Sequence, residues 1–366
     1  MKTNHLSPLT LDEIVSLLEY DRTRAEHELF PLARKVKEES VGNTVYFRGL
    51  IEFSNYCHKN CLYCGLRREN RRVARYDIPD EEILAMARFA REHNYASIVM
   101  QSGERSDAHF VERVEKLLAA IIKESAGELR ITLSCGEQSA EVYERWYAAG
   151  ATRYLLRIEP SKRELNHQIH TQDENHSFEK RVECLKLLKR LGYQTGTGVM
   201  IGLPGQNTLD LASDLCFFRD LDIHMVGMGP FIEHQETPLA GSHPQMLPLQ
   251  ERLFLALKMV AVLRIMMKDI NIAAATALQA IDPTGREQAL AVGANVIMPN
   301  ITPKKYREDY KLYENKPCTD EDPWQCQGCL ERRIASVGNT IGYGEFGDSK
   351  HYKEQISKKN DKKQKI

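Results

Sequence analysis

No stretch of this chain approaches the roughly 18 consecutive apolar residues that a membrane-spanning helix needs, so a helical membrane protein is excluded. Charge of either sign is not in excess: 50 Lys and Arg face 51 Asp and Glu over 366 residues, a formal net charge of −1. That balance provides no basic footprint for non-specific nucleic-acid binding and no acidic signature of disorder. The first residues, Met1 to Ile14, lack the hydrophobic segment of a secretory signal, which predicts a cytoplasmic, reducing location. No repeat with a period of about 20–50 residues is visible. What the chain does have is enough apolar content for a large core, 42% hydrophobic residues, and nine cysteines. In a reducing compartment, clustered cysteines point to metal binding rather than to disulfides.

Eight apolar runs read as strands: residues 45–53, 97–101, 130–134, 153–159, 194–201, 225–231, 272–278 and 295–299. Helical patterns separate them. Pro79 to Glu82 suits a helix start, with acids at the positive end of the dipole and Ile83, Met86, Ala87 and Ala90 on one face. Phe178 to Leu191 repeats Val182, Leu185 and Leu188 at helical spacing and stops at Gly192. Leu249 to Met267 reads as a longer helix. Eight strands alternating with helices predict a parallel α/β fold, a complete (β/α)8 TIM-type barrel, with a doubly wound open sheet as the alternative. The expected organisation is a helical segment over 1–44, the barrel over 45–300, a cysteine-bearing segment over 301–334 packed on it, and a glycine-rich loop with a flexible lysine-rich tail over 335–366.

The sharpest local signal is Cys57, Cys61 and Cys64, spaced C-x3-C-x2-C just after the first strand. That position is the C-terminal mouth of a barrel, where barrel chemistry takes place. Three soft thiolates in eight residues can hold three irons of a 4Fe–4S cubane and leave the fourth open to a substrate or cofactor. A zinc knuckle is the competing reading, but His58 adjoins Cys57 and is poorly placed as a fourth tetrahedral ligand. A second triplet, Cys318, Cys326 and Cys329, is spaced C-x7-C-x2-C beyond the last strand. It reads as a second iron–sulfur site, 2Fe–2S or 4Fe–4S, against zinc or free thiols. Cys135, Cys184 and Cys216 read as small buried residues, although Cys135 follows the third strand and could face the cavity.

The first triplet, with the aromatic Tyr63 before its last cysteine, resembles the signature of the radical S-adenosylmethionine (SAM) superfamily. The resemblance implies that the methionine moiety of SAM chelates the open iron, and that one electron from the cluster cleaves the sulfonium to a 5′-deoxyadenosyl radical. Ser102-Gly103-Glu104 resembles the segment whose backbone meets the methionine amino group, with serine in place of its first glycine. Gly198 to Gly205 resembles the segment near the adenine.

Longer stretches narrow the resemblance. Arg48 to Cys57, Asn60 to Arg68, Met200 to Gln206, Met225 to Phe231 and Gly293 to Asn300 resemble the HydE family of FeFe-hydrogenase maturases, over about residues 9–334. The resemblance implies a full barrel and a role in assembling the two-iron subcluster of the hydrogenase. The adenosyl radical would attack a sulfur of an iron–carbonyl–cyanide–cysteine precursor. Tyr63, Gln101, Ser102, Gly103, Glu104, Thr132, Ser134, Glu159 and Arg181 are the implied cofactor contacts, with Glu159 suited to ribose hydroxyls and Arg181 to a carboxylate. Arg153, Arg157, Thr276, Met298 and Tyr306 are the implied cavity residues. Arg153 and Arg157 could instead form an anion site, and Arg157 with Glu159 could be an interior polar layer. Ala275 stands where some relatives have threonine. The implied partners are an organometallic small molecule, a low-potential donor of the ferredoxin or flavodoxin type, and other hydrogenase-maturation proteins. His167 and His170 carry no assigned role. Methylornithine synthase and biotin synthase share the signature, and a non-catalytic iron–sulfur scaffold is a further alternative. The second and fifth strands lack the cysteines a biotin synthase-like internal cluster would use.

Overall fold

The computed structural model describes residues 8–174, 176–241, 246–320 and 323–364. In chain order its strands are β1 Thr44–Phe47, β2 Gly49–Ser54, β3 Ser97–Ser102, β4 Arg130–Ser134, β5 Arg153–Leu155, β6 Gln194–Thr197, β7 Met200–Ile201, β8 Met225–Val226, β9 Gly229–Pro230, β10 Asn271–Ile272, β11 Val296–Ile297 and β12 Thr340–Ile341. Seven pair in parallel in the order β10-β8-β6-β5-β4-β3-β2. β1 lies between β11 and β12, and β7 pairs with β9. Isolated parallel bridges link Leu50 to Asn300 and Ala273 to Val296, at the two ends of the seven-stranded sheet. Helices fill the connections, which gives the α/β class expected from the alternation.

Several elements follow from local chemistry. Asp80–Glu92 buries Ile83, Met86, Ala87 and Ala90, the face its spacing predicts. Phe178–Arg190 is capped by Ser177 and buries Cys184, Leu185 and Leu188, and Gly192 leaves it at φ +92°, a conformation glycine adopts without strain. Thr208–Asp220 starts on a capping box between Asn207 and Asp210, and Leu249–Met266 is the expected long helix.

Three expectations are corrected. The first apolar run is not one strand: β1 pairs with β11 and β12, and the chain changes partners at Arg48 before β2 joins β3. The seventh run is a strand only over Asn271–Ile272, and Thr276–Ile281 is helical. The alanines before it stay extended, Ala273 in a bridge to Val296 and Ala275 as the N-cap, and a short apolar run does not distinguish strand from buried helix. The lysine-rich end is not a flexible tail, because Lys350–Gln364 is a helix. Lysine and glutamine are good helix formers, and the first turns of this helix are anchored to the body of the fold.

The anchoring segment also settles the place of Arg153. Residues 346–349 run across the N-terminal ends of the strands. Ser97 Oγ donates to the Phe346 carbonyl at 2.8 Å, Asn271 Nδ2 to that of Gly347 at 2.8 Å, and Ser349 N to Gln194 Oε1 at 3.1 Å. The fully buried Arg153, first residue of β5, pairs with Asp348 at 2.6 Å and donates to Ser97 Oγ at 2.8 Å. Arg153 is therefore not a residue of the mouth. Its anion is the protein's own Asp348.

His351 completes the anchor. Its ring reaches Asp222 at 2.6 Å and Asp269 at 3.2 Å. The hydrogen bond to Asp269, with that to Asp222, raises its pKa to about 9 from 6.5. A folded-state pKa raised in this way stabilises the fold fully below about 6.5, while both carboxylates are ionised, and the contribution is lost as pH rises through about 9. His351→Gln should therefore cost about 1 kcal/mol near pH 6, allowing for the half-exposed Asp222, and much less at pH 10. Urea unfolding of both proteins across this range measures the difference, and a pH-independent gap would refute the assignment.

Candidate functional site

The three clustered cysteines lie in an irregular loop between β2 and the helix Asp80–Glu92. Side chains flanking the cysteines hold the loop in place of secondary structure. Asn55 Nδ2 donates to the Ala74 and Asp309 carbonyls, both at 2.7 Å, and Asn55 Oδ1 accepts from Tyr76 N at 2.7 Å. Arg75 donates to the carbonyls of Asn55 at 2.6 Å, Leu66 at 2.9 Å and Arg67 at 2.7 Å. The two ends of the loop are thereby joined. Leu62 N donates to the Ile169 carbonyl at 2.9 Å, and Leu62 and Tyr63 pack on Leu165, Ile169, Leu203, Phe231 and Leu239. The Tyr63 ring meets His170 edge-on at 5.6 Å.

Glycines permit two close approaches. A Cβ at Gly103 would lie 2.2 Å from the Tyr56 carbonyl oxygen and 2.9 Å from Cys57 Cβ. A Cβ at Gly65, just after the last cysteine, would lie 2.2 Å from the Lys311 carbonyl oxygen. Both obstacles are backbone, so a side chain at either position would displace the loop. Ser102 directs its hydroxyl to the Gly103 carbonyl at 2.7 Å, His58 N donates to the Glu104 carbonyl at 2.9 Å, and Glu104 N points to Cys57 Sγ at 3.4 Å.

Below the loop lies a buried network of charges. Lys59 Nζ is 3.1 Å from Glu104 and 3.1 Å from Glu137. Arg181 closes the ring, 3.1 Å from Glu104 and 3.0 Å from Glu137, and donates to the Arg157 carbonyl at 3.2 Å. Burial opposes ionisation of Glu104, but Arg181 and Lys59 outweigh it and hold the carboxyl below its ordinary pKa. Arg181, expected to bind a cofactor carboxylate, is thus engaged by two protein carboxylates. Glu137 and Lys59 were missed by sequence reasoning, because isolated charges in loops carry no periodic signal.

The chemistry of the thiols fits a multivalent cationic centre. Burial, then the neighbouring sulfurs Cys64 and Cys57, push the Cys61 thiol well above its usual pKa, and burial pushes Cys64 up to about 12. Three crowded thiols resist ionisation alone, whereas bound metal deprotonates a coordinating thiol. Among the described residues no three His, Cys, Asp or Glu side chains converge on one ion. Thiolates of a cubane each bind their own iron, so their sulfurs need not converge.

The remaining expected residues divide. Gln101 stands opposite Ser134 in register, near the ends of β3 and β4, and donates to Tyr310 Oη at 3.3 Å. Thr132 and Met298 line a narrow interior cavity of about 30 Å³, where Thr132 Oγ1 is buried without a protein partner. Arg157 donates to Glu159 at 3.1 Å and to the Val199 carbonyl at 2.8 Å. Glu159 sits at φ +63°, a costly conformation for this residue. Thr276 is half-buried at the start of its helix. Tyr306 does not face the interior: its hydroxyl meets Glu82 at 3.2 Å and its ring lies on Tyr76 at 4.9 Å. The interior tyrosine is Tyr310, four residues on, 1% exposed.

Of the second triplet, the side chain of Cys326 lies outside the described residues. Cys318 and Cys329 are half-buried, and Cys318 sits at φ +65° with its carbonyl accepting from Arg307 at 2.9 Å. Cys135 and Cys184 are buried, as packing residues should be, and Cys216 is partly buried. His170 is buried, whereas His176, unmarked in the sequence, accepts from Asn60 N at 3.1 Å and pairs with Asp173 at 2.7 Å beside the cysteine loop.

Residues 51–215 match the Radical SAM superfamily. The chain is 46% identical over 314 residues, 86% of each protein, to the [FeFe] hydrogenase maturase subunit HydE of Thermotoga maritima. The chain belongs to the HydE family. It is a radical SAM enzyme. The 3-methylornithine synthase of Methanosarcina barkeri is a more distant relative of this HydE chain, 27% identical over 84% of it and 83% of the synthase. A crystal structure of methylornithine synthase (PylB) superposes with a TM-score of 0.77 at 24% identity, covering 92% of this chain and 95% of that one, which shows the shared fold. Membership of this family implies a 4Fe–4S cluster and SAM.

Gly103→Ala should displace Tyr56 and Cys57 and lower iron and acid-labile sulfide per chain by more than half while leaving the circular dichroism spectrum unchanged. Full iron loading in this variant would show that the close approach is dispensable.

Proposed function

We propose that this chain takes part in assembling the two-iron subcluster of FeFe-hydrogenase, acting on a sulfur-containing iron–carbonyl–cyanide precursor. The observation that carries this reading is the cysteine loop, clamped by Asn55 and Arg75 and seated against Gly103, in a chain 46% identical to a HydE subunit. The hydrogen-bond bridges at Leu50–Asn300 and Ala273–Val296 support closure of the sheet into a full (β/α)8 barrel. Cys57, Cys61 and Cys64 would hold the 4Fe–4S cluster. Together with SAM, the cluster supplies reductive cleavage of the sulfonium and an adenosyl radical.

The chain's own residues bind, orient and exclude water. Ser102, Gly103 and Glu104 would present backbone to the methionine amino group. The segment is held in place by Gly103 N donating to the Ser54 carbonyl, His58 N donating to the Glu104 carbonyl and Glu104 N pointing to Cys57 Sγ. Glu159 would hold ribose hydroxyls, its carboxylate steadied by Arg157. Gln101, Thr132 and Ser134 would contribute polar side chains to the cofactor from β3 and β4, and Tyr63, packed on the apolar cluster around Leu165 and Phe231, would shield the iron–sulfur group from water. Arg181 acts by fixing Glu104 rather than by reaching a ligand. Thr276 and Met298 would border the substrate, and Arg157 the polar side of the cavity. Cys318, Cys326 and Cys329 are proposed as a second iron–sulfur site. A ferredoxin- or flavodoxin-type donor, exchange with other maturation proteins, and a cytoplasmic setting complete the reading. No helix among the described residues is long and apolar enough to cross a membrane.

Anaerobically reconstituted protein, reduced in the presence of SAM, should release 5′-deoxyadenosine, and Cys61→Ala should abolish that release. Unchanged cleavage in the variant would overturn the cluster assignment. Product formed from L-lysine, in place of an adenosyl adduct of an iron-bound sulfur compound, would overturn the substrate class.

A further inference from the structure

We infer that Asp214, on the helix Thr208–Asp220, is a positioning residue that holds Glu159 in place for the ribose of SAM. The inference rests on the reading of Glu159 as the ribose contact. Glu159 sits at φ +63°, a backbone conformation that a non-glycine residue keeps only where its surroundings impose it. Pro160 follows, and a proline carries no N–H with which to tie the chain down. The side before Glu159 is held by the neighbouring strand. Glu159 N donates to the Gly198 carbonyl at 3.1 Å, and Ile158 N to Thr197 Oγ1 at 3.1 Å. The side after it is held by two acids of the helix. Ser161 N, the first amide N–H beyond Glu159, donates to Asp214 Oδ1 at 2.7 Å. Lys162 Nζ reaches Asp210 Oδ1 at 2.8 Å.

Asp210 and Asp214 stand four residues apart on one face of the helix, and both are buried. Asp210 also closes the capping box at the helix start, so its carboxylate has a second task. Asp214 has no such task. Its Oδ1 serves Ser161, and its Oδ2 is buried without a hydrogen-bond partner among the described residues. At 1% exposure, an acid with one orphaned oxygen is a costly choice for packing alone. Burial raises its pKa to about 7 against the hydrogen bonding from Ser161, and the charges of Asp210 and Glu159 add to the rise. The neutral acid is cheaper to bury and repels Glu159 less. What an apolar residue could not supply is an acceptor aimed at the first amide after Glu159. Without it the chain beyond Pro160 loses its tie to the helix, and Glu159 is free to leave the left-handed region. Its carboxylate would then swing away from Arg157, which now donates to it at 3.1 Å. Asp214 acts through the backbone, so it governs affinity for SAM and leaves the cluster unchanged.

The test uses anaerobically reconstituted holoenzyme and equilibrium dialysis with labelled SAM. Asp214→Ala should raise the Kd for SAM about tenfold. Iron and sulfide per chain, and 5′-deoxyadenosine release at saturating SAM, should stay within about twofold of wild type. Asp214→Asn keeps the acceptor toward Ser161 and the shape of the neutral acid, and should keep the Kd within about twofold of wild type. Glu159→Ala should also weaken SAM about tenfold, and Asp214→Ala/Glu159→Ala should be no weaker than Glu159→Ala alone, because one residue acts through the other. Lys162→Met, on the exposed side of the clamp, should raise the Kd about threefold. Wild-type affinity in Asp214→Ala, or additive losses in the double variant, would overturn the inference. Where Asp214→Ala fails to fold, wild-type affinity in Lys162→Met overturns it. So would loss of iron along with affinity in Asp214→Ala, which would make Asp214 a residue of the fold as a whole. Wild-type affinity in Glu159→Ala would instead overturn the ribose reading beneath it.

Discussion

The buried ring of Lys59, Glu104, Arg181 and Glu137 is the interaction on which the mouth of this fold depends. It joins the cysteine loop, the loop after β3, the loop after β4 and the helix Phe178–Arg190. Taking four charges out of water is costly, and only complete pairing offsets that cost. Each side chain therefore holds the others to one geometry. Glu104 in turn fixes Cys57 through its backbone, so the strand ends and the cluster loop are set by one electrostatic solution.

A second polar closure lies at the opposite end. Arg153, Ser97, Gln194 and Asn271 turn polar groups toward the floor, where residues 346–349 hydrogen-bond to each of them. The helix Lys350–Gln364 then carries His351 to Asp222 and Asp269. The two ends of one parallel sheet thus do different work. Carboxylates and cations from consecutive loops build a reactive mouth above, and a returning C-terminal segment seals the floor below.

Much of the frame was readable because burial follows periodicity. Ile83, Met86, Ala87 and Ala90 recur at helical spacing and are buried, and the strand runs 97–101 and 130–134 lie within observed strands. The cysteines were readable because ligand spacing is a local property of the chain. Three of the misreadings share one cause. Arg153, Tyr306 and the lysine-rich end were assigned from residue type or family pattern, yet their partners Asp348, Glu82 and Asp269 are distant in sequence. Tyr306 and Tyr310 differ by four residues, and which one turns inward is set by the packing of Tyr76 and Gln101.

By itself the sequence determined the α/β class, the cysteine triplet at the end of the first strand run, and the family to which the chain belongs. These depend on local spacing and residue chemistry, which one dimension records. Tertiary structure alone decided which charges meet. It engaged Arg181 with Glu104 and Glu137, sent Arg153 to the floor, turned Cys57 toward an open depression and ordered the C-terminal helix. A buried charge takes the partner that long-range folding brings within about 3 Å, and no local pattern encodes that choice.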